Sequence, residues 1–276
     1  MKENKGTFST IILVLVMVIG LSLLLYPTVS NYWNSRVQSH ALSVYQSEVA
    51  VMDTDKYRQL WEDAKEYNED LLSRSNVYLL DEDLEQKYNQ LLDVGGTGIM
   101  GYIEIPEIAV NLPIYHGTSE GVLQVAIGHL EWTSLPTGGA GTHCVISGHR
   151  GLPSAKLFTD LDRMAIGDTF MVHVLDETLT YEVDQVLIVN PDETEALMIE
   201  EGKDLFTLVT CTPYGVNSHR LLVRGHRMEN AEVAVTVRVT ADALEVDSMI
   251  VACVLVGPIL LFLMTALLIF DKLRRK

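Results

Sequence analysis

The chain has 276 residues, a formal net charge of -17 and 48% hydrophobic residues. That length allows one good-sized domain with additional segments. The acidic balance excludes a nucleic-acid binder that works through a basic face, and it suits a solvated extracellular surface.

Residues 1–7 carry Lys2 and Lys5, and an almost wholly apolar run follows over residues 8–26, with no charge between Lys5 and Arg36. At about 1.5 Å per residue this run crosses a ~30 Å hydrocarbon core. It reads as a cleaved signal peptide or a retained anchor, and the lack of a clear small-x-small cleavage site behind it favours retention. A second apolar run over 249–270 is followed at once by the basic tail 271–276. The positive-inside rule places both termini in the cytoplasm and residues 37–247 outside the cell membrane. A buried core helix is the alternative for either run, and the run lengths and basic flanks argue against it.

Residues 27–97 form a helical N-terminal region, with no proline between Pro27 and Pro106. Asp53 or Thr54 caps a helix there. Tyr57, Leu60, Trp61, Ala64, Tyr67, Leu71 and Leu72 then recur at helical spacing, an apolar stripe that packs on the domain. A second, short helix is expected over 84–92. Residues 93–98 (Asp-Val-Gly-Gly-Thr-Gly) make a flexible boundary. From 98 to 240 the pattern changes to short β-rich runs: 99–105, 144–147, 169–174, 180–189, 206–210, 220–225 and 232–240. Turn residues punctuate them, which indicates a β-sandwich or barrel. Residues 241–248 link the last strand to the second span.

Of three cysteines, Cys144 and Cys211 lie in the outer segment and Cys253 in the second span. This is not a disulfide-dense scaffold, although counting leaves a Cys144–Cys211 bridge open. Residues 206–227 contain two short β-branched runs around a turn-rich loop, Pro213–Ser218. A hairpin-like arrangement leaves Cys211 at the end of one strand and Arg220 at the start of the next. A guanidinium beside a thiol stabilises the thiolate and can bind an oxyanion. The alternative is a buried core thiol. A catalytic base belongs at a strand end beside a glycine-rich turn, which singles out His149 in Gly148-His149-Arg150-Gly151. His219 adjoins Arg220, so strand alternation points it to the other face. His129 and His143 pack near the site, and His173 is scaffold. With neither HExxH nor Cys-x-x-Cys spacing, no metal and no cofactor is expected.

Thr210-Cys-Thr-Pro-Tyr214, followed by Asn217-Ser-His-Arg-Leu-Leu-Val-Arg-Gly225, resembles the active-site segment of sortases, especially the pilin-polymerising class C sortases. The likeness extends upstream through Gly101-Tyr-Ile-Glu-Ile-Pro106, Leu112-Pro-Ile-Tyr-His-Gly-Thr-Ser119, Gly128-His-Leu-Glu131, Thr133-Ser-Leu-Pro136 and Gly148–Leu161, and so covers about 98–227. The resemblance selects a closed barrel of about eight strands, so the chain reads as a mainly β protein with N-terminal helices, flanked by the two transmembrane helices. It implies a cysteine transpeptidase in which Cys211 forms a thioester, His149 shuttles the proton and Arg220 holds the oxyanion or substrate backbone. Thr210 and Thr212 are candidates to orient substrate, although a strand threonine more often serves packing. The implied substrate is a Leu-Pro-x-Thr-Gly (LPXTG-like) sorting signal cut after Thr. The implied acceptor is a pilin lysine in class C enzymes or a cell-wall precursor amine in anchoring sortases; a cysteine protease that only hydrolyses is the further alternative. Class C enzymes carry a lid with an Asp-Pro-aromatic motif. Residues 77–85 offer Asp81 and Asp83 but no proline and no Asp-aromatic pair, so a locking lid is not expected.

Overall fold

The computed structural model describes residues 4–74, 77–78 and 81–229, with Gly257 and Thr265. The expected strand over 232–240, the linker, the second span and the basic tail lie outside the described residues, apart from those two positions. The chain divides into two units, residues 1–32 with 234–276, and residues 33–233.

In the first unit the described chain is the start of a helix, α1 (Asn4–Ala50), which continues through Pro27. Its apolar residues, among them Leu13, Leu23 and Leu24, are exposed. It is the one helix among the described residues long and apolar enough to cross a membrane.

The second unit begins with the remainder of α1. Leu42 and Tyr45 are buried there, and the Tyr45 hydroxyl donates to the Met100 carbonyl at 3.3 Å while accepting from the Leu175 N–H at 2.7 Å. Helix α2 (Thr54–Ser73) starts at Asp53, whose carboxylate accepts from the Asp55 and Lys56 N–H groups and so satisfies two orphan donors. Its stripe buries Ala64, Tyr67 and Leu71, while Leu72 is exposed. Helix α3 (Glu82–Gln90) is capped by Asp81, which accepts from the Leu84 N–H.

Eight strands follow among the described residues: β1 (Ile99–Ile105), β2 (Val110–Tyr115), β3 (Ile127–His129), β4 (Thr142–Ser147), β5 (Thr169–Val174), β6 (Glu177–Val189), β7 (Asp204–Thr212) and β8 (His219–Arg227). They close into a barrel in the order β1-β2-β3-β4-β7-β8-β6-β5. Closure leaves no free sheet edge. Strands β2 and β3 were not expected. Pro113 interrupts the β2 pattern, and β3 has only three residues.

Strand alternation sorts the wall made by β4, β7 and β8 into two faces. Cys144, Ile146, Phe206, Leu208, Leu221 and Val223 belong to the main core. Val145, Val209 and Leu222 point the other way. Together with Leu197, and flanked by Leu130, Trp132, Leu187 and Val189, they form a smaller apolar cluster on the barrel's outer face.

Candidate active site

The outer apolar strip ends at Cys211. Alternation on β7 puts Cys211 on the outer face with Val209, and on β8 it puts Arg220 there with Leu222. The antiparallel register pairs Cys211 directly with Arg220, so the two side chains leave neighbouring strands on one face. On the other side of β7, the parallel register with β4 runs to Ser147 opposite Val209. The Gly148 N–H still bonds the Val209 carbonyl, and His149 follows directly. His149 thus lies just after the end of β4, Cys211 near the end of β7 and Arg220 near the start of β8, on three neighbouring strands, each half-buried. Cys211 and Cys144 are both free thiols. They belong to opposite faces of the wall, so no bridge joins them.

Hydrogen bonds hold the His149 turn to the Cys211 strand. The Gly148 N–H donates to the Val209 carbonyl at 3.0 Å, and the Thr210 hydroxyl donates to the Gly148 carbonyl at 2.7 Å. A Cβ at Gly148 would lie 2.7 Å from the Phe158 ring, so only glycine fits this close approach. Thr210 is buried on the inner face, and its hydroxyl is committed to the turn that carries His149. Thr212 is buried too, and its hydroxyl accepts from Arg150 Nη1 at 3.4 Å.

Arg150, which the sequence reading passed over, ties the site together. It also pairs with Asp162, and its guanidinium lies 5.8 Å from the Tyr214 ring centre. Gly151 has φ +76°, and a Cβ there would meet that same ring at 2.8 Å. Arg150 and Gly151 therefore hold the loop after β4 against the loop after β7. The adjacency of Arg150 to His149 was the available clue. Arg220 Nη1 donates to the carbonyls of Asn217 at 3.4 Å and His219 at 3.2 Å, so its guanidinium lies back along its own loop.

The remaining histidines are structural partners. His219 Nδ1 lies 2.8 Å from Ser218 Oγ. His143 Nδ1 donates to the Met198 carbonyl at 2.8 Å, which leaves Nε2 to accept from the Thr207 hydroxyl at 2.7 Å. His129 Nε2 donates to the Ser134 carbonyl at 2.9 Å, so Nδ1 accepts from the Tyr88 hydroxyl at 2.9 Å. Burial lowers the pKa of His129 to about 3 and holds it neutral. Burial lowers those of His143 and His173 too, and it pushes the Cys144 thiol well up.

The segment expected to be irrelevant as a lid does reach the outer face. Tyr78 packs on Trp132 with ring centres 4.9 Å apart, and its hydroxyl lies 2.9 Å from Thr194 Oγ1 and 3.4 Å from Met198 Sδ. Asp81 does not plug the site, because its carboxylate caps α3.

A closed eight-stranded barrel that pairs a free cysteine with an arginine at one end of an outer apolar strip, with a histidine just after the end of the neighbouring strand, defines a cysteine acyl-transfer enzyme. Residues 103–228 match the Sortase domain family. Among solved structures, sortase C1 from Streptococcus agalactiae is 52% identical, with a TM-score of 0.68 over 70% of this chain and 100% of that one. Sortase C from Streptococcus pneumoniae is 45% identical, with a TM-score of 0.63 over 69% and 97%. Clostridium perfringens sortase C, solved with the C-terminal cell wall sorting motif, is 41% identical, with a TM-score of 0.62 over 69% and 99%. Sortase A of Bacillus anthracis is 26% identical over 80% of this chain and 95% of its own length. The chain belongs to the sortase family and is a cysteine transpeptidase.

Proposed function

We propose that the chain is a membrane-anchored, extracytoplasmic sortase of the class C type that joins pilin subunits. The observation that carries this reading is the direct pairing of Cys211 with Arg220 across β7 and β8; the His149 turn, hydrogen-bonded to β7, supports it. Cys211 Sγ attacks the threonine carbonyl of an LPXTG-like signal. Arg220 turns from its loop carbonyls to donate to the oxyanion. The carbon–nitrogen bond to glycine then breaks, and His149 gives its proton to the leaving amine. A thioester remains on Cys211. The acceptor amine, a pilin lysine in this reading, attacks the thioester, loses a proton to His149 and releases the thiol. The similarity to solved sortase C enzymes supports the class. Helix α1 supplies an anchor; with the apolar run 249–270 as a second span, both termini are in the cytoplasm and the barrel is outside.

The test is intact-mass detection of a Cys211 thioester with a Leu-Pro-x-Thr-Gly peptide, followed by addition of acceptor amines. A new amide with a pilin lysine supports the reading. Transfer only to a cell-wall precursor amine makes the protein an anchoring sortase, and free acid alone makes it a protease. Protease added to intact protoplasts should digest the barrel; protection of the barrel would overturn the topology.

A further inference from the structure

The outer apolar strip leads away from Cys211 into a cavity of about 440 Å³ at the start of β4 and β7. Leu71, Trp132, Leu197 and Met198 give it apolar walls, and Arg74 is the one cation in the lining. The wall supplied by the β6–β7 loop is fixed from below: Arg224 pairs with Glu200 at 2.9 Å and with both carboxylate oxygens of Asp184 at 3.0 Å, and His143 holds Met198. The guanidinium of Arg74 lies 4.7 Å from the Tyr67 ring centre. Its Nη1 is buried with no hydrogen-bond partner. A cation at the C-terminal end of α2 suits the helix dipole. That accounts for the charge but gives Nη1 no acceptor. The acidic residue on the rim, Glu201, is exposed and leaves Nη1 unpartnered.

We propose that this cavity binds the substrate polypeptide upstream of its sorting signal and takes an acidic side chain onto Arg74. The inference rests on the sortase reading of Cys211 and deepens it. The apolar Leu-Pro half of a signal matches the apolar strip, so the acyl side of the substrate runs down the strip from Cys211. Met198 sits on His143, which pairs with Leu205 on β7, six residues before Cys211. Gly202, also in the cavity wall, is nine residues before Cys211. At about 3.3 Å per residue the cavity lies roughly 20–30 Å from the thiol. The four residues Leu-Pro-x-Thr span only about 13 Å at the same rise, so they stop short of it. An extended substrate reaches the cavity with about the sixth to ninth residue before the threonine. A carboxylate there gives the Arg74 guanidinium a charge-assisted acceptor, and the apolar walls exclude the water that would compete for it.

The experiment uses the full chain in detergent micelles. Peptides carry the signal plus ten upstream residues, with a single Glu or Gln at the sixth, seventh, eighth or ninth position before Thr. The readout is the ratio of kcat/KM for each Glu peptide to that for its Gln partner. A ratio on one enzyme preparation is unaffected by any loss of folded protein. The wild type should prefer Glu by about 5–10-fold at one of the four positions, through KM, as expected for a charge-assisted contact. Arg74→Gln should bring the ratio to about one, and Arg74→Lys should keep part of it. No Glu preference at any position in the wild type overturns the proposal, as does a preference that survives Arg74→Gln. Failure of the underlying reading is distinguishable, because a peptide with no upstream extension would then give no thioester.

Discussion

The wall formed by β4, β7 and β8 carries two cysteines whose fates differ because the wall has two faces. Cys144 packs with Phe206 and Leu208 in the main core, and burial pushes its thiol pKa well up. Cys211 stands at the rim of the outer face, half-buried, with Arg220 directly across. The two faces of one wall separate an inert thiol from a placed nucleophile. The same β-branched strands build both environments, so the chemistry is decided by which side of the wall a residue reaches and how close it lies to a strand end.

Removing each thiol in turn tests that contrast most severely. Cys211→Ala should lower transpeptidation by about 10⁴-fold or more, as loss of a nucleophile does. Cys144→Ala should keep catalysis and cost about 1 kcal/mol of stability. Peptide mapping after alkylation of the folded protein should find label on Cys211 and none on Cys144. Activity remaining in Cys211→Ala would remove the outer face from the mechanism.

The next largest effect concerns Arg220. Arg220→Lys keeps the charge and loses the planar fork. If directed hydrogen bonds to an oxyanion matter, kcat/KM should fall by about 10²–10³. The pH profile of Cys211 alkylation should stay nearly unchanged, because the charge remains. Turnover near the wild-type value, with the fold confirmed, would reduce Arg220 to holding the carbonyls of Asn217 and His219.

The histidines repeat the comparison on the stability axis. His149 sits at the rim, whereas His129 is fully buried and held neutral with a pKa of about 3. The unfolded chain titrates near 6.5. Above that pH neither state binds the proton. Between 6.5 and 3 the unfolded state takes up a proton that the fold refuses, so stability falls as pH falls. The loss approaches about 1.4 kcal/mol per pH unit in that window. Lowered values at His143 and His173 act in the same direction. Asp204, whose carboxyl is raised by burial, acts in the opposite direction at lower pH. Unfolding free energies from urea titrations at pH 7.5 and 5.5 should therefore differ by at least about 1 kcal/mol, and His129→Gln should narrow the gap. An unchanged gap in that variant would mean that other groups carry the acid sensitivity.

Much of this could be seen in the residues before the fold was known. The β1 and β5 strands have the bounds that their runs suggested, and Asp53 caps α2 as its position suggested. The meeting of Cys211 and Arg220 was legible because a hairpin fixes register locally. The burial of Thr210 was less legible, because a strand rich in apolar residues does not reveal which face turns inward. The register between β4 and β7, parallel partners far apart in sequence, decides that. Tyr78 and Trp132 were invisible for a related reason. Their contact depends on how the segment after α2 and the loop after β3 return to the same wall, and no local pattern encodes it.

That contact yields the smallest prediction and the one that sharpens the two-face picture. Tyr78 lies over Trp132 on the outer strip, along the proposed substrate path. A tilted aromatic pair contributes about 0.5–1.5 kcal/mol beyond area burial, and the hydrogen bond at Thr194 about 1 kcal/mol more. Those sums allow closure to be favoured by about ten-fold, far from the grip of a buried plug. If the strip is covered most of the time, substrate binding is reduced by the covered fraction. Tyr78→Ala should then raise kcat/KM for a sorting peptide several-fold, about three to ten, chiefly through KM. Tyr78→Phe keeps the ring and loses the hydroxyl, so it should fall between the two. Peptide titrations on the three proteins read this directly. Equal KM values in all three would show that Tyr78 rests on the wall without gating it. A fall in kcat/KM for Tyr78→Ala would show instead that the ring helps to form the strip that substrate uses.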